Sequence, residues 1–305
     1  MQRFRRVLFS PLTAEPNPEA FARTVELARS NQAPVDVVGV VPAPSSLQRM
    51  LHPRPAGGPG QAARDQLLAD LRERFSTTGD VPVEYAVDEG GAAPALVERV
   101  VRHGHDLLIV TSANDRRSRA LVKRLLRTCP CPVYVVRPIE DDGRRVLAAI
   151  DPEPEVADMN ELVLGLAAAL ARWLELELHI VHCWELYGES MMRQSAFLHV
   201  DESEIDEMRH EVEDEERAAV EALVEEVVGP DRAQVHIVEG PPGQMIPALI
   251  DELGIDRLVM GTVARAGVPG LVMGNTAEQV LDAVECSVLA VKPPGFVSPI
   301  APPTS

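Results

Sequence analysis

Several features that would mark a secreted, membrane or nucleic-acid-binding protein are missing from this sequence. Only four cysteines occur in 305 residues, none in a C-x-x-C pair, so a disulfide framework is excluded. A chain of this length needs no such staples, and a reducing cytoplasm is the expected setting. Cys129-Pro130-Cys131 is a close pair, but no matching Cys or His pair completes a four-ligand metal set. Ordinary thiols near a helix end are the better reading. The apolar run from Leu162 to Ala171 is too short to span a bilayer and stops at Arg172. The basic start MQRFRRVLFSPLTAEP imitates a leader, yet its apolar part is short and broken by Pro11, so Val7 to Leu12 is expected to be a first strand. Positive charge is scarce as well. Lys and Arg number 29 against 47 Asp and Glu, and a net charge of -18 argues against nucleic acid as the main partner. Neither a nucleic acid nor a membrane is therefore expected as a partner.

With 46% hydrophobic and 25% charged residues the composition is that of a soluble globular protein, and its length favours two domains. An internal duplication supports this division. RRVLFSPL at Arg5 is matched by RRVLAAID at Arg144, and CPVYVVRP at Cys131 by CSVLAVKP at Cys286. Between them, VEYAVDEGGAAPALVERVVRHGHDLLIV parallels VHIVEGPPGQMIPALIDELGIDRLVM. In each copy, β-branched runs alternate with segments of helical period, the pattern of a parallel sheet covered by helices. The expected fold is α/β, with two tandem open, doubly wound five-stranded parallel sheets, Rossmann-like, in strand order 3-2-1-4-5. The expected boundaries are residues 1–138 and 144–294 for the two domains, 139–143 for a linker and 295–305 for a disordered tail. The longest helix, from Asp201 to Val228, carries Ile205, Met208, Val212, Ala219 and Leu223 on one face and a solvated acidic face opposite.

Differences between the copies locate the informative region. Asp106 pairs with Asp256 at an offset of 150, but Cys131 pairs with Cys286 at 155, so the second copy holds five extra residues before its last helix. They fall in MGTVARAGVPGLVMGNTAEQV, where Gly261, Gly267, Gly270 and Gly274 stand; the first copy has TSANDRRSRALVKRL there, without glycine. Two readings stand for this stretch: a loop whose backbone amides cradle phosphate, or a surface loop. Asp151 ends the first strand of the second copy where Leu12 ends that of the first. Its carboxylate can accept hydrogen bonds from a ribose hydroxyl or an adenine amine, or simply serve a turn.

These residues resemble the universal stress protein family over nearly the whole chain, and most of all its tandem, E-type bacterial members. The carriers are VLAAIDP, VEGPPGQMIPALI, DLLIV and DRLVM, the loop GTVARAGVPGLVMGNTAEQVL and the terminal CSVLAVKP. The resemblance implies a cytoplasmic stress-response protein that is not an ordinary enzyme; many single-domain relatives bind ATP and others do not. ATP-binding members carry G-x-x-G, nine residues, then G-[S/T]. Gly261 and Gly274 match the first and third glycines, while Ala264 replaces the second and Asn275 the hydroxyl residue, with Thr276 directly after. Asp151 matches the adenosine-side aspartate. The implied candidate site is thus Asp151, Gly261, Arg265, Gly267, Gly274, Asn275 and Thr276, for ATP or another adenine nucleotide with Mg, or for no ligand at all. Arg265 is either a phosphate partner or a surface cation. His182 lies near the family's adenine position, though a half-buried structural histidine is the commoner case. A ligand-free interaction scaffold and a slow ATP-hydrolysing enzyme are the competing readings. The family's contact between last strands implies an internal pseudo-dimer through Val133–Val136 and Val288–Val291, and a homodimer beyond it.

Overall fold

The computed structural model describes residues 4–12, 17–43, 59–76, 79–113, 115–138, 144–194, 201–262 and 273–300. Among these, one compact unit gathers 4–138, Met273 and 287–300, and a second gathers 144–262 and 274–286.

In the first unit the strands are β1 (Val7–Pro11), β2 (Val35–Val41), β3 (Val83–Glu89), β4 (Leu107–Thr111) and β5 (Val133–Val136), joined by α1 (Pro18–Asn31), α2 (Pro59–Arg74), α3 (Ala92–His103) and α4 (Arg116–Thr128). β1 lies between β2 and β4, parallel to both, with Val7 opposite Val35 on one side and Leu107 on the other. A strand flanked on both edges and covered on both faces must be apolar throughout, which is why Val7, Leu8 and Phe9 are fully buried. Burying each such side chain contributes about 1.5–3 kcal/mol. Phe9, Phe21 of α1 and Phe75 meet as a trio with ring centroids 5.3–5.4 Å apart, tying the first helix and the end of α2 to the central strand. α1 starts where Asn17 accepts from Ala20 N at 2.9 Å with Pro18 directly after, an N-cap joined to a residue whose missing N–H costs nothing there.

The second unit repeats this plan with β6 (Arg145–Ala149), α5 (Ala157–Leu174), β7 (Glu177–Trp184), α6 (Glu189–Gln194), α7 (Glu202–Val227), β8 (Gln234–Glu239), α8 (Pro242–Leu253), β9 (Arg257–Gly261) and α9 (Asn275–Ala283). Its parallel strands run β9-β6-β7-β8. The long acidic helix opens with a capping box between Asp201 and Glu204, and it buries Ile205, Val220 and Val224. Met208, Val212, Ala219 and Leu223, expected on its apolar face, are not among its buried residues. The repeated Asp106 and Asp256 serve the same structural task in each copy. Asp106 accepts from Arg5 N and Arg6 N at 2.8–3.0 Å, and Asp256 from Arg145 N at 3.2 Å, so each fastens the foot of a central strand.

The α/β class and the 3-2-1-4-5 order hold in the first unit, but the division into two all-parallel sheets of five does not. β10 (Ser287–Val291), the last strand of the second copy, pairs antiparallel with β5, Val288 opposite Val135 and Ala290 opposite Val133. The reason is exposed backbone: β5 ends the parallel set and would otherwise present a row of unpaired N–H and C=O groups. β10 satisfies them. After this strand, Lys292 lies 4.6 Å from the centroid of the Phe296 ring, and Ser298 Oγ donates to Thr128 O at 2.7 Å. Burial lowers the Lys292 ammonium to about 8, against a partial upward pull from Cys129. Cys129 and Cys131 are free, buried thiols with their sulfurs 3.5 Å apart.

Candidate functional site

In an open parallel sheet the crevice forms beyond the carboxyl ends of the strands, at the point where connections leave to opposite faces. In the second unit that point lies between β6 and β9, and a cavity of about 460 Å³ sits there. Its walls are largely apolar, with Ile150, Met159, Val163, Val181 and Ile246 among them; its polar groups come from Asp151, Asn160, His182 and Thr276.

Asp151 follows β6 by one residue beyond Ile150, and its backbone is clamped by Asn160 of α5. Asn160 Oδ1 accepts from Asp151 N at 3.3 Å, and Asn160 Nδ2 donates to Asp151 O. The clamp is 3% exposed, so its amide is bound to protein rather than solvent. Glu153 N donates to Asp151 Oδ1 at 3.4 Å. Both the backbone and the carboxylate of this turn are therefore held in place at the cavity.

Gly261 closes β9 against Met159, and a Cβ at this position would sit 3.1 Å from Met159 Cγ and 3.2 Å from its Sδ. Glycine here lets the thioether lie against the strand. Gly274 is the N-cap of α9; its N–H donates to Thr262 O at 2.9 Å, and no side chain caps the helix. The first-turn amides of Asn275, Thr276 and Ala277 precede the first intrahelical donor, Glu278 N, and meet no capping oxygen among the described residues. Of the sequence candidates, Asp151, Gly261, Gly274 and Thr276 line one cavity; Asn275 starts α9 but is not part of the lining. Arg265 and Gly267 lie outside the described residues, as do Ala264 and Gly270.

His182 is 4% exposed and reaches this cavity from β7. Its Nδ1 lies 3.3 Å from Ile150 O, and its Nε2 lies 3.1 Å from Glu216 Oε2 on α7, too far off line to form a hydrogen bond. Burial pushes the neighbouring Cys183 thiol up to about 12, which keeps it protonated and poorly nucleophilic. Pro242, from the turn Gly240-Pro241-Pro242-Gly243, also borders the cavity. Sequence reasoning missed Asn160 and Met159. Asn160 had a signal: it shares an otherwise apolar helical stripe with Val163, Leu164, Ala167 and Ala171, where an amide must have a partner.

The corresponding place in the first unit differs in chemistry. Leu12 stands in for Asp151, and α4 is capped by Asp115, whose Oδ1 accepts from Arg117 N at 2.8 Å and Ser118 N at 3.0 Å. Among the described residues, no cluster of three or more His, Cys, Asp or Glu could hold a metal ion, and no helix is long and apolar enough to cross a membrane.

Comparison with known proteins agrees with this fold. A model of the universal stress protein family matches residues 4–137 and, separately, 143–292. The chain is 26% identical over 238 residues to universal stress protein E of Escherichia coli K12, covering 74% of this chain and 73% of that one. It is 28% identical over 217 residues to universal stress protein E of Photorhabdus laumondii, covering 68% and 67%. In fold it is similar to a functionally unknown protein from Pseudomonas aeruginosa PAO1, at a TM-score of 0.68 and 23% identity over 95% of this chain and 93% of that one. A universal stress protein from Archaeoglobus fulgidus aligns at a TM-score of 0.62 and 16% identity, over 94% and 98%.

Proposed function

Because the chain belongs to the universal stress protein family, we propose that it is a non-enzymatic stress-response protein of the cytoplasm whose second unit holds an adenine nucleotide. The observation that carries this reading is the N-terminus of α9, which has no cap among the described residues and opens on the same cavity as Asp151. An anion belongs at such a terminus, where backbone N–H groups and the helix dipole meet it together. The apolar walls suit a base, and the Asp151 carboxylate, on a turn fixed by Asn160, suits a ribose hydroxyl. Magnesium would accompany the phosphates as their counter-ion. The non-enzymatic reading is supported by the cavity's side chains: Cys183 is held as a thiol and His182 is wedged between Ile150 O and Glu216.

Calorimetric titration of the full chain with ATP and Mg tests the reading. Asp151→Ala is expected to weaken binding by about tenfold, the loss of one hydrogen bond to a charged acceptor. No binding by the wild type, with no nucleotide released from the heat-denatured protein, would overturn the proposal; equal affinity of the variant would remove Asp151 from the site.

A further inference from the structure

The first unit has a cavity of its own, about 780 Å³, at the carboxyl ends of β1, β4 and β5, and Asn17, Thr111, Ser112 and Arg117 are in its lining. Thr111 is 2% exposed, and its hydroxyl has no hydrogen-bond partner among the described residues. A buried hydroxyl without a partner, on a residue that lines a cavity, is a group that a polar ligand would satisfy. The lining holds Glu19 and Asp115 beside Arg117, but the half of the chain around it is positive overall. Residues 1–140 carry 19 Lys and Arg against 15 Asp and Glu, whereas residues 141–305 carry 10 against 32. The halves thus differ sharply, at +4 and -22. α4, RRSRALVKRLLRT, has six cations and no carboxylate within its 13 residues, and its N-terminus opens on this cavity through Arg117 and Ser118.

That terminus is already filled. The Asp115 side chain accepts from Arg117 N, Ser118 N and Ser118 Oγ, at 2.8, 3.0 and 2.7 Å. These are the donors that an incoming phosphate would use. We propose that Asp115 is a built-in anion, occupying the helix terminus in the first unit and keeping its cavity closed to phosphate-bearing ligands, so that removing the carboxylate opens an anion site there. The Ser118 N–H and hydroxyl hold the Asp115 carboxyl below its ordinary value, so the plug stays ionised through the neutral range. Leu12 adds to the selection at the other end of the cavity, where it offers no acceptor for a ribose. The second unit makes the opposite choice at both positions, with Gly274 in place of a capping carboxylate and Asp151 in place of leucine.

The test is an amide NMR titration of the full chain with inorganic pyrophosphate, a probe that needs no adenine pocket. In the wild type the Arg117 and Ser118 amides are expected not to respond. In Asp115→Gly they should shift and saturate, with binding at least about tenfold tighter, because the ligand gains charge-assisted hydrogen bonds that the carboxylate had taken. Glycine is tolerated at an N-cap, and Asp115→Ala provides a second opened variant. Asp115→Asn is the decisive control: it removes the charge but keeps an oxygen over the same amides, and should stay closed. If Asn and Gly gain equally, charge repulsion rather than occupancy is at work and the proposal falls. It falls as well if the Arg117 and Ser118 amides of both opened variants stay silent. The amides of Thr276 and Ala277 report the second unit in the same spectra, so failure of that site is read separately.

Discussion

Two helix termini on one fold plan, α4 in the first unit and α9 in the second, separate the halves of this protein. Both follow the fourth strand of their copy, and both open on a cavity at the carboxyl ends of the strands. Asp115 caps one with its own carboxylate; the N-cap of the other is Gly274, which has no side chain to do so. A duplicated fold therefore keeps its architecture while one N-cap residue changes which group meets the helix terminus. The fold comes from strands whose apolar residues recur in both copies, whereas an N-cap residue can change at a cost of about 1 kcal/mol.

The opposite edge of the sheets sharpens the comparison. Leu8 lies opposite Asp36 and Leu147 opposite His179, so Asp36 and His179 hold one place in the repeat. Asp36 is 2% exposed and bound to Arg6 Nη2 at 3.0 Å and to His105 Nε2 at 2.9 Å. His179 instead meets His236, Nδ1 to Nε2, at 3.0 Å. Removing one member of a buried charge cluster strands its partners, so Asp36→Ala is expected to destabilise the first unit by about 3–5 kcal/mol. His179→Leu exchanges a neutral imidazole for an apolar side chain of similar size, and is expected to cost less than about 1.5 kcal/mol. Denaturant unfolding followed by circular dichroism measures both. Equal losses would mean that ionic bonding at this edge does not distinguish the units.

A smaller effect is expected from giving the second unit the first unit's cap. Gly274 has φ -77 and ψ 151, a conformation open to any residue, and Asp115 has a similar one at φ -82 and ψ 161. Gly274→Asp therefore introduces no backbone strain and should place a carboxylate over the first-turn amides of α9. ATP affinity is expected to fall by about 10- to 100-fold, the equivalent of about 1.4–2.8 kcal/mol. Unchanged affinity would show that a bound nucleotide makes no use of that terminus, and would break the parallel between the two caps.

Much of the fold was legible because the chain states it twice. Alternation of β-branched runs and helical segments, repeated with the same spacing, leaves little choice of topology. Residues such as Asp151 and Gly274 also stood out, since each differs from its counterpart in the first copy. What was not legible depended on contacts distant in sequence. Asn160 acts on Asp151 across a turn, and Met159 lies against Gly261. Asp115 escaped notice for another reason: in TSANDRRSRALVKRL the missing glycines drew attention, although the informative feature was the aspartate that caps the helix.

The smallest difference between the units should appear on acidification. In the second unit, burial lowers the His179 imidazole below its ordinary value, His236 and Arg145 lower it further, and Glu177 opposes them; burial also lowers His236, with Glu252 opposing. A base with a depressed folded value is neutral in the native state while the unfolded chain takes up a proton near pH 6.5. The second unit therefore has the full contribution of this pair above about pH 6.5 and loses it as the pH falls toward the folded values. In the first unit burial pushes the Asp36 carboxyl up, but His105 and Arg6 together outweigh it and hold the group below its ordinary 3.8. Its contribution lasts until the pH falls below about 4. His103 in the first unit is lowered by burial too, yet it is exposed at the end of α3 and contributes weakly. Amide hydrogen exchange at pH 7 and pH 5, corrected for intrinsic chemical rates, should show β7 and β8 losing protection while β1 and β2 keep theirs. A uniform loss across both sets of strands would mean that the buried histidine pair does not set the acid response of the second unit.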